Sequence, residues 1–491
     1  MLTEKRKSAM NNLVIYAFNT RYEIHNYELG DLPQLERELS IWDDSTHRLL
    51  PKYYYDDENH ILCIPRGYDF YKLETMVGKP ITYKKDSNPR KKASFTMVVP
   101  PKKEYADIQK ESVRFLAGIE EYGRMSGESQ LVLSLPPGIG KTYCAIAACS
   151  ILQTKVMVIV GTDDLRKQWK EKIVEYTKLP NQSICAISGS KTLDMLEEAK
   201  ETKIANYAFY ITTHSTLRSY MKNRGFNALN QLFIKMGVGV KIIDEAHLQY
   251  LNILNIDYAT NVWKTFYLTA TFNQSDKIED ILFQRAFNKV FKLYKTPSSR
   301  KHVIYIAGIF STGANPIERE ALKGTKGLDK CRYIDYEIDK GDILKVYAYF
   351  IDLLIRKKRI EGKTLVLSSK KSSCDLLKEL TDDLLPAYAS CVHYSGNKVD
   401  DFEPYGIIFA TPKMLGTGND IAGLRAIINL EPIRSPRNTL QIFGRLREYA
   451  PDMDTYYIEL VDKSIPPVAS MLRDRIKLLK DSCKNFMQVK F

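Results

Sequence analysis

Two short polar motifs, each placed directly after an apolar run, constrain this chain more than any other feature. Leu131–Leu135 leads into Pro136-Pro137-Gly138-Ile139-Gly140-Lys141-Thr142, and a helix-like stretch, Tyr143–Leu152, follows. About a hundred residues later Val240-Lys241-Ile242-Ile243 leads into Asp244-Glu245-Ala246-His247. A strand, a glycine-rich turn and a helix together wrap backbone N–H groups around a phosphate. Pro137, Gly138, Ile139 and Gly140 are expected to form that loop. Lys141 would neutralise the β- and γ-phosphate oxygens, and the Thr142 hydroxyl would hold Mg²⁺. The second motif supplies what the first lacks. Asp244 would hold the magnesium, and Glu245 would position or deprotonate the attacking water. His247 is either a coupling residue or an ordinary buried histidine.

Apolar strands recur around these motifs at Val156–Val160, Phe209–Thr213 and Phe266–Thr269, with helical segments between them. Near-continuous apolar strands alternating with helices predict a parallel sheet covered on both faces. The pattern starts again after residue 345, at Thr364–Ser368, Ile407–Ala410, Ala426–Leu430 and Tyr456–Leu460. The expected class is therefore α/β, with two parallel-sheet lobes in tandem and a small α+β accessory region before them. Expected boundaries are 1–95 for the accessory domain, 96–297 for the first lobe, 298–345 for a connection between lobes and 346–491 for the second lobe.

The accessory region reads as a helix over Leu32–Trp42 and two strands, Lys52–Tyr55 and His60–Ile64. Residues 84–103 carry seven basic side chains against one acid, Asp86, and include Pro89, Pro100 and Pro101. That composition predicts a basic connector. The segment Val468–Lys480 predicts a packed helix, with Met471, Leu472, Ile476 and Leu479 inward and Arg473, Arg475, Lys477 and Lys480 outward.

Eight scattered cysteines without C-x-x-C spacing argue against a zinc ribbon and a disulfide framework, and suit a reducing cytoplasm. No apolar run reaches transmembrane length and no secretory signal is seen, so a cytoplasmic protein is expected, in the host cytoplasm if the source is viral. The net charge of +13 favours a polyanionic partner.

Further motifs narrow the reading. Val160-Gly161-Thr162 with Leu165, Gln168 and Trp169, Ile211–Leu217 around Thr213, and Leu268-Thr269-Ala270-Thr271 follow in the first lobe. Val392-His393-Tyr394-Ser395-Gly396, Ala410-Thr411 through Gly418-Asn419-Asp420, and Gln441-Ile442-Phe443-Gly444-Arg445-Leu446-Arg447 follow in the second. In this order the chain resembles the superfamily 2 helicases with DEAH-type boxes, over residues 104–460. The resemblance implies RecA-like lobes, ATP with Mg²⁺ as cofactors, and a nucleic-acid partner. It assigns Thr162, Thr213, His393 and Thr411 to nucleic-acid backbone or interlobe bonds, and Gly418 and Asp420 to the nucleotide. Gln109 would contact adenine or else be a core polar cap. Gln441 and an arginine would complete the site from the second lobe. Glu448 stands where the pattern expects an arginine, so Arg445 and Arg447 are both candidates for the finger.

The compact layout is similar to the group holding the XPB repair helicases and phage UvsW helicases, whose small N-terminal domain binds DNA. Tyr53, Tyr54, Tyr55, Arg66 and Lys72 are candidates for nucleic-acid contact there, or for a plain hairpin core. The leading expectation is an ATP-dependent DNA helicase or translocase that remodels forks, R-loops or recombination junctions. The alternatives are a viral RNA helicase in transcript release, and a DNA-stimulated ATP switch or restriction motor that does not unwind.

Overall fold

The computed structural model describes residues 12–43, 47–84, 87–247, 250–270, 277–295, 300–325, 327–357, 360–397, 399, 401–412, 421–446 and 453–491. The chain divides into two compact units, Met1–Lys295 and Thr296–Phe491.

The first unit opens with strands β1 (Val14–Ala17) and β2 (Arg21–His25), then helix α1 (Pro33–Glu38) and a hairpin, β3 (Ser40–Asp43) and β4 (Arg48–Pro51). Strands β5 (Tyr54–Asp56) and β6 (Ile61–Pro65), helix α2 (Phe70–Val77) and strand β7 (Thr82–Tyr83) follow. Five of these strands form one sheet in the order β5-β6-β2-β1-β7. The helix expected over Leu32–Trp42 stops early. Proline at its first turn starts it, and Ser-Ile-Trp then passes into strand, where β-branched and aromatic residues pack best.

The parallel sheet of this unit has seven strands. They are β8 (Gln130–Ser134), β9 (Lys155–Val160), β10 (Ile184–Ala186), β11 (Phe209–Thr213), β12 (Val238–Ile243), β13 (Lys264–Thr269) and β14 (Phe291–Tyr294), in the order β10-β11-β9-β12-β13-β8-β14. Helices α3 (Ala106–Ala117), α4 (Lys141–Leu152) and α5 (Asp163–Thr177) lie in the first half of the unit. Helices α6 (His214–Arg224), α7 (Phe226–Met236), α8 (Tyr250–Ala259) and α9 (Lys277–Ala286) lie in the second. Alternate strand residues feed two cores. Val156, Val158, Val160, Ile242 and Phe266 pack with α4 and α5, whereas Met157, Ile159, Ile243 and Tyr267 pack with α6, α7 and α8.

The second of these cores continues without a break into the N-terminal module, through Ile15, Tyr22, Ile24, Leu62 and Ile64. Tyr54 stacks on Phe226 of α7, with centroids 3.7 Å apart and planes at 3°. The Tyr258 hydroxyl donates to the Lys52 carbonyl at 2.9 Å, and Arg285 donates to the Glu38 carbonyl at 2.8 Å. The described residues before 85 thus share a core with the first parallel sheet.

The basic stretch after β7 is a strap rather than a loose connector. Asn88, Lys91, Ala93 and Val98 donate their amides to the carbonyls of Asn261, Gly237, Gln153 and Tyr176. Arg90 lies 3.6 Å over the Trp263 ring, and Phe95 packs on Phe209. Gly237 makes room for it, since a Cβ there would come within 2.4 Å of Lys91. Prolines remove donors from such a segment but leave its other amides free to bond, so composition alone hides it.

The second unit carries another seven-stranded parallel sheet. Its strands are β15 (Arg300–Phe310), β18 (Lys363–Leu367), β19 (Ser390–His393), β20 (Ile407–Ala410), β21 (Leu424–Asn429), β22 (Thr455–Asp462) and β23 (Cys483–Lys490). Their order is β19-β20-β18-β21-β22-β15-β23, and a two-residue pair, β16 (Lys323–Gly324) with β17 (Gly327–Leu328), stands apart. Helices α10 (Lys330–Lys340), α11 (Asp342–Asp352), α12 (Lys371–Leu384), α13 (Pro436–Phe443) and α14 (Pro466–Leu479) accompany it.

Residues 298–345 therefore do not serve only as a connection. They supply β15, which pairs with β22 from Val303 to Phe310, and α10. Arg475, expected to face outward on α14, is buried. Its guanidinium bonds Glu459 on β22 and donates to the Ile433 carbonyl at 2.5 Å. A buried arginine is stable here because its charge and donors are met by fixed acceptors. Among the described residues no helix is long and apolar enough to cross a membrane.

Candidate nucleotide site

Both motifs stand at the C-terminal ends of parallel strands, the end at which open α/β sheets place their ligands. β8 delivers the loop from Leu135, whose amide donates to the Thr269 carbonyl at 3.0 Å. Gly138 and Gly140 adopt φ +87° and +103°, conformations that side-chain-bearing residues resist. Lys141 and Thr142 then begin α4, so their amides belong to a helix N-terminus.

Gln109 braces the loop from α3. Its Nε2 donates to the Ile139 carbonyl at 2.6 Å, its Oε1 accepts from the Lys102 amide at 2.8 Å, and a Cβ at Gly140 would come within 2.5 Å of it. Gln109 is fully buried, and these bonds fix its amide between the Lys102 amide and the loop.

The Lys141 ammonium donates to the Leu135 carbonyl at 3.2 Å and stands 3.8 Å from Glu245 Oε1. Asp244 is buried at the end of β12. Its Oδ2 accepts from the Trp169 indole at 2.7 Å, and its Oδ1 accepts from the Glu245 amide at 3.0 Å. Burial pushes the Asp244 carboxyl up, while the Trp169 bond and the Lys141 charge oppose the rise. Glu245 itself has φ +50°, a left-handed conformation that costs a non-glycine residue about 1–3 kcal/mol and collects at functional sites. His247 is buried, with Nδ1 2.6 Å from the Thr269 hydroxyl and 3.5 Å from Glu245 Oε2. One chain of contacts therefore joins Lys141, Glu245, His247 and Thr269 across the ends of three strands.

The residues fit ATP and magnesium. The loop offers helix-start amides and an ammonium for phosphates. A cation beside the Thr142 hydroxyl would offset the desolvation that now raises Asp244. Bound magnesium would neutralise phosphate charge and set the geometry of displacement. Glu245 would be the carboxylate that orients water.

Trp169 was legible only as part of a resemblance, yet it holds the buried carboxylate in place. The signal was a tryptophan at helical spacing after Thr162, the cap of the helix that follows β9. Thr162 and Thr213 cap helices, accepting the Leu165 and Thr216 amides at 3.3 Å each. In the second unit His393 is buried at the end of β19 and accepts the Val399 amide at 3.1 Å. Thr411 follows β20 and is half-buried; Gln441 lies on α13 and Arg445 just after it, both half-buried. Gly418, Asp420 and Arg447 lie outside the described residues, as do Thr271 and Glu448. Tyr54 is turned onto Phe226, and the Tyr55 hydroxyl donates to the Tyr27 carbonyl at 3.1 Å. Both serve the hairpin core.

Residues 102–274 match the family model described as the res subunit of type III restriction enzymes. The DNA 3'-5' helicase XPB of Kineococcus radiotolerans is 26% identical over 152 residues, 31% of this chain and 25% of that protein. The helicase-like protein 161L of Invertebrate iridescent virus 6 is 24% identical over 372 residues, 71% of this chain and 76% of that protein. Yeast (S. cerevisiae) Dbp5, solved with RNA and ADP–BeF3, shares the fold with a TM-score of 0.51 at 12% identity, over 79% of this chain and 94% of that one. The matched stretch spans about a quarter of the length of the XPB relatives. With its paired motifs and two parallel sheets, the chain is similar to superfamily 2 helicases and, over the matched stretch, to the XPB helicases.

Proposed function

We propose that the chain is an ATP-driven DNA helicase or translocase that remodels branched DNA such as forks, R-loops or recombination junctions. The observation that carries the reading is the connected set Lys141–Glu245–His247–Thr269, with Asp244 held by Trp169. It links the phosphate loop to the residue that would orient water and onward to β13. The similarity to XPB, named as a DNA 3'-5' helicase, favours DNA over RNA. The net charge of +13 suits a phosphate backbone.

In this reading Lys141 and the loop amides hold the phosphates, Thr142 and Asp244 hold magnesium, and Glu245 activates water. Gln441 and Arg445 or Arg447 sense the γ-phosphate, Gly418 and Asp420 contact the nucleotide, and Thr162, Thr213, His393 and Thr411 serve the strand-gripping surface. The protein acts in the cytoplasm, of the host if viral.

The test is the steady-state ATPase rate without nucleic acid and with single-stranded DNA, duplex, a four-way junction or single-stranded RNA. Strongest stimulation by the junction, followed by its unwinding, is the expected result. Stimulation by RNA alone replaces the reading with an RNA helicase. DNA stimulation without strand separation replaces it with a switch or restriction motor.

A further inference from the structure

Beneath the catalytic strands lies a polar network that hydrolysis does not use. Lys241 sits on β12, three residues before Asp244, and is fully buried. Its ammonium donates to Asp257 Oδ1 on α8 at 2.5 Å and to Thr260 Oγ1 at 2.9 Å. Asp257 Oδ2 accepts from the Tyr267 hydroxyl at 2.7 Å, and Tyr267 lies on β13 two residues before Thr269. One centre thus touches the strand that carries Asp244 and the strand whose Thr269 meets His247.

The same centre reaches the N-terminal module. The Thr260 carbonyl accepts from the Thr20 hydroxyl and from Arg21 Nη1, the latter at 3.2 Å. Next to it, Asn261 Oδ1 accepts from the Asn19 amide at 3.1 Å. The turn between β1 and β2 also holds the start of β8, where Ser129 donates to the Asn19 carbonyl at 2.7 Å and Gln130 to the Thr20 carbonyl at 3.3 Å. Thr20, Lys241, Asp257, Thr260 and Tyr267 are all essentially inaccessible to solvent.

A buried ion pair is a poor way to gain stability, because desolvation offsets the attraction and apolar residues of the same volume serve as well. What it supplies is fixed geometry between the elements it joins. This one joins the β1–β2 turn, the segment after α8, and both strands of the hydrolytic motifs.

We propose that Lys241, Asp257, Thr260 and Tyr267 are positioning residues that couple the N-terminal module to the hydrolytic strands, so that nucleic acid held by the module changes the rate of ATP hydrolysis. The inference rests on the proposed function for its ligand, not for its geometry. The network is proposed to act on nucleotide binding as well as turnover; binding coupling is reciprocal, so nucleotide held at Lys141 and Asp244 alters the module in turn.

Thr260→Val removes the hydroxyl at the centre and keeps shape and backbone; Tyr267→Phe cuts the arm to β13 and is the second variant. Expected for both is basal hydrolysis within about twofold of the parent, unchanged junction affinity by anisotropy, and stimulation by the junction reduced at least about fivefold. Amide exchange in residues 14–25 is then followed on adding a non-hydrolysable ATP analogue with magnesium. The parent is expected to change and the variants not. Equal stimulation and equal exchange response in parent and variants overturn the proposal, as does a parent whose residues 14–25 ignore the analogue. If nucleic acid never stimulates the parent but the exchange response is lost in the variants, the coupling stands and the proposed function falls.

Discussion

The two units build the same seven-stranded parallel sheet and cover it differently. The first shares one of its two cores with the N-terminal module, and the strap over 88–98 fastens the opposite margin. The second is covered by its own elements on both faces, one core lined by α10, α11 and α12 and the other by α13 with part of α14. The difference separates two jobs that one sheet architecture can do. The first unit holds the connected set of catalytic contacts, and its surroundings are cross-linked to that set. The second carries Gln441 and Arg445 on a self-sufficient scaffold.

The largest expected effect breaks the comparison at the chemistry. Glu245→Gln should lower ATP turnover by about 10²–10⁴-fold and leave ATP affinity near that of the parent, read by single-turnover hydrolysis beside a binding titration. Near-normal turnover removes Glu245 from the water-orienting role. Arg445→Ala should cost about 10²–10³-fold in turnover with ATP affinity retained, because its contribution falls on developing charge. If affinity falls in parallel, nucleotide binding is not a property of the first unit.

Packing gives the next effect. Tyr54→Ala removes a half-buried ring stacked at the margin of the shared core and should destabilise the first unit by about 1–3 kcal/mol. Calorimetry should show that transition fall while the second unit's transition stays in place. A common shift of both transitions would mean that the units unfold together.

Trp169→Phe is expected to reduce turnover about tenfold and to lower the first unit's melting temperature by a few degrees, since the buried Asp244 carboxyl loses its indole donor.

The smallest effect concerns pH, and it differs in sign between the units. In the second, burial together with Asp462 pushes the Glu337 carboxyl up to about 9. The fold keeps a proton that the unfolded chain releases near 4.5, so this stability is complete below pH 4.5 and drains as pH rises toward 9. In the first, burial pushes His214 down to about 4 from 6.5, so its stability is present above pH 6.5 and lost as pH falls toward 4. Glu337→Gln should therefore raise the melting temperature at pH 8 by a few degrees and flatten the alkaline limb. An unchanged limb would assign it to another group.

The sequence disclosed the parts whose signal is local. Apolar runs ending in polar loops marked β8, β9, β11, β12 and β13 and, through them, Lys141, Thr142, Asp244 and Glu245. It hid what depends on distant partners. β15 is as apolar as any strand, but its neighbours β22 and β23 come more than a hundred residues later, and no motif points to it. Arg475 reads as a surface charge until Glu459 is placed opposite. The strap reads as a linker because prolines and lysines advertise solvent, whereas its bonds are backbone bonds that composition does not encode. The tyrosines of 53–55 admitted both a stacking platform and a hairpin core, because aromatic residues serve cores and ligands alike.

The strap also fixes where the motor can be cut. The family match begins at residue 102, after the strap has crossed the sheet. A protein started there would leave the carbonyls of Gly237 and Gln153 without their strap donors and open the notch at Gly237. Such a fragment would be expected to be less stable than one that keeps the strap. The boundary set by homology and the boundary set by folding are different lines on this chain, and a transplantable first lobe has to begin on the N-terminal side of both.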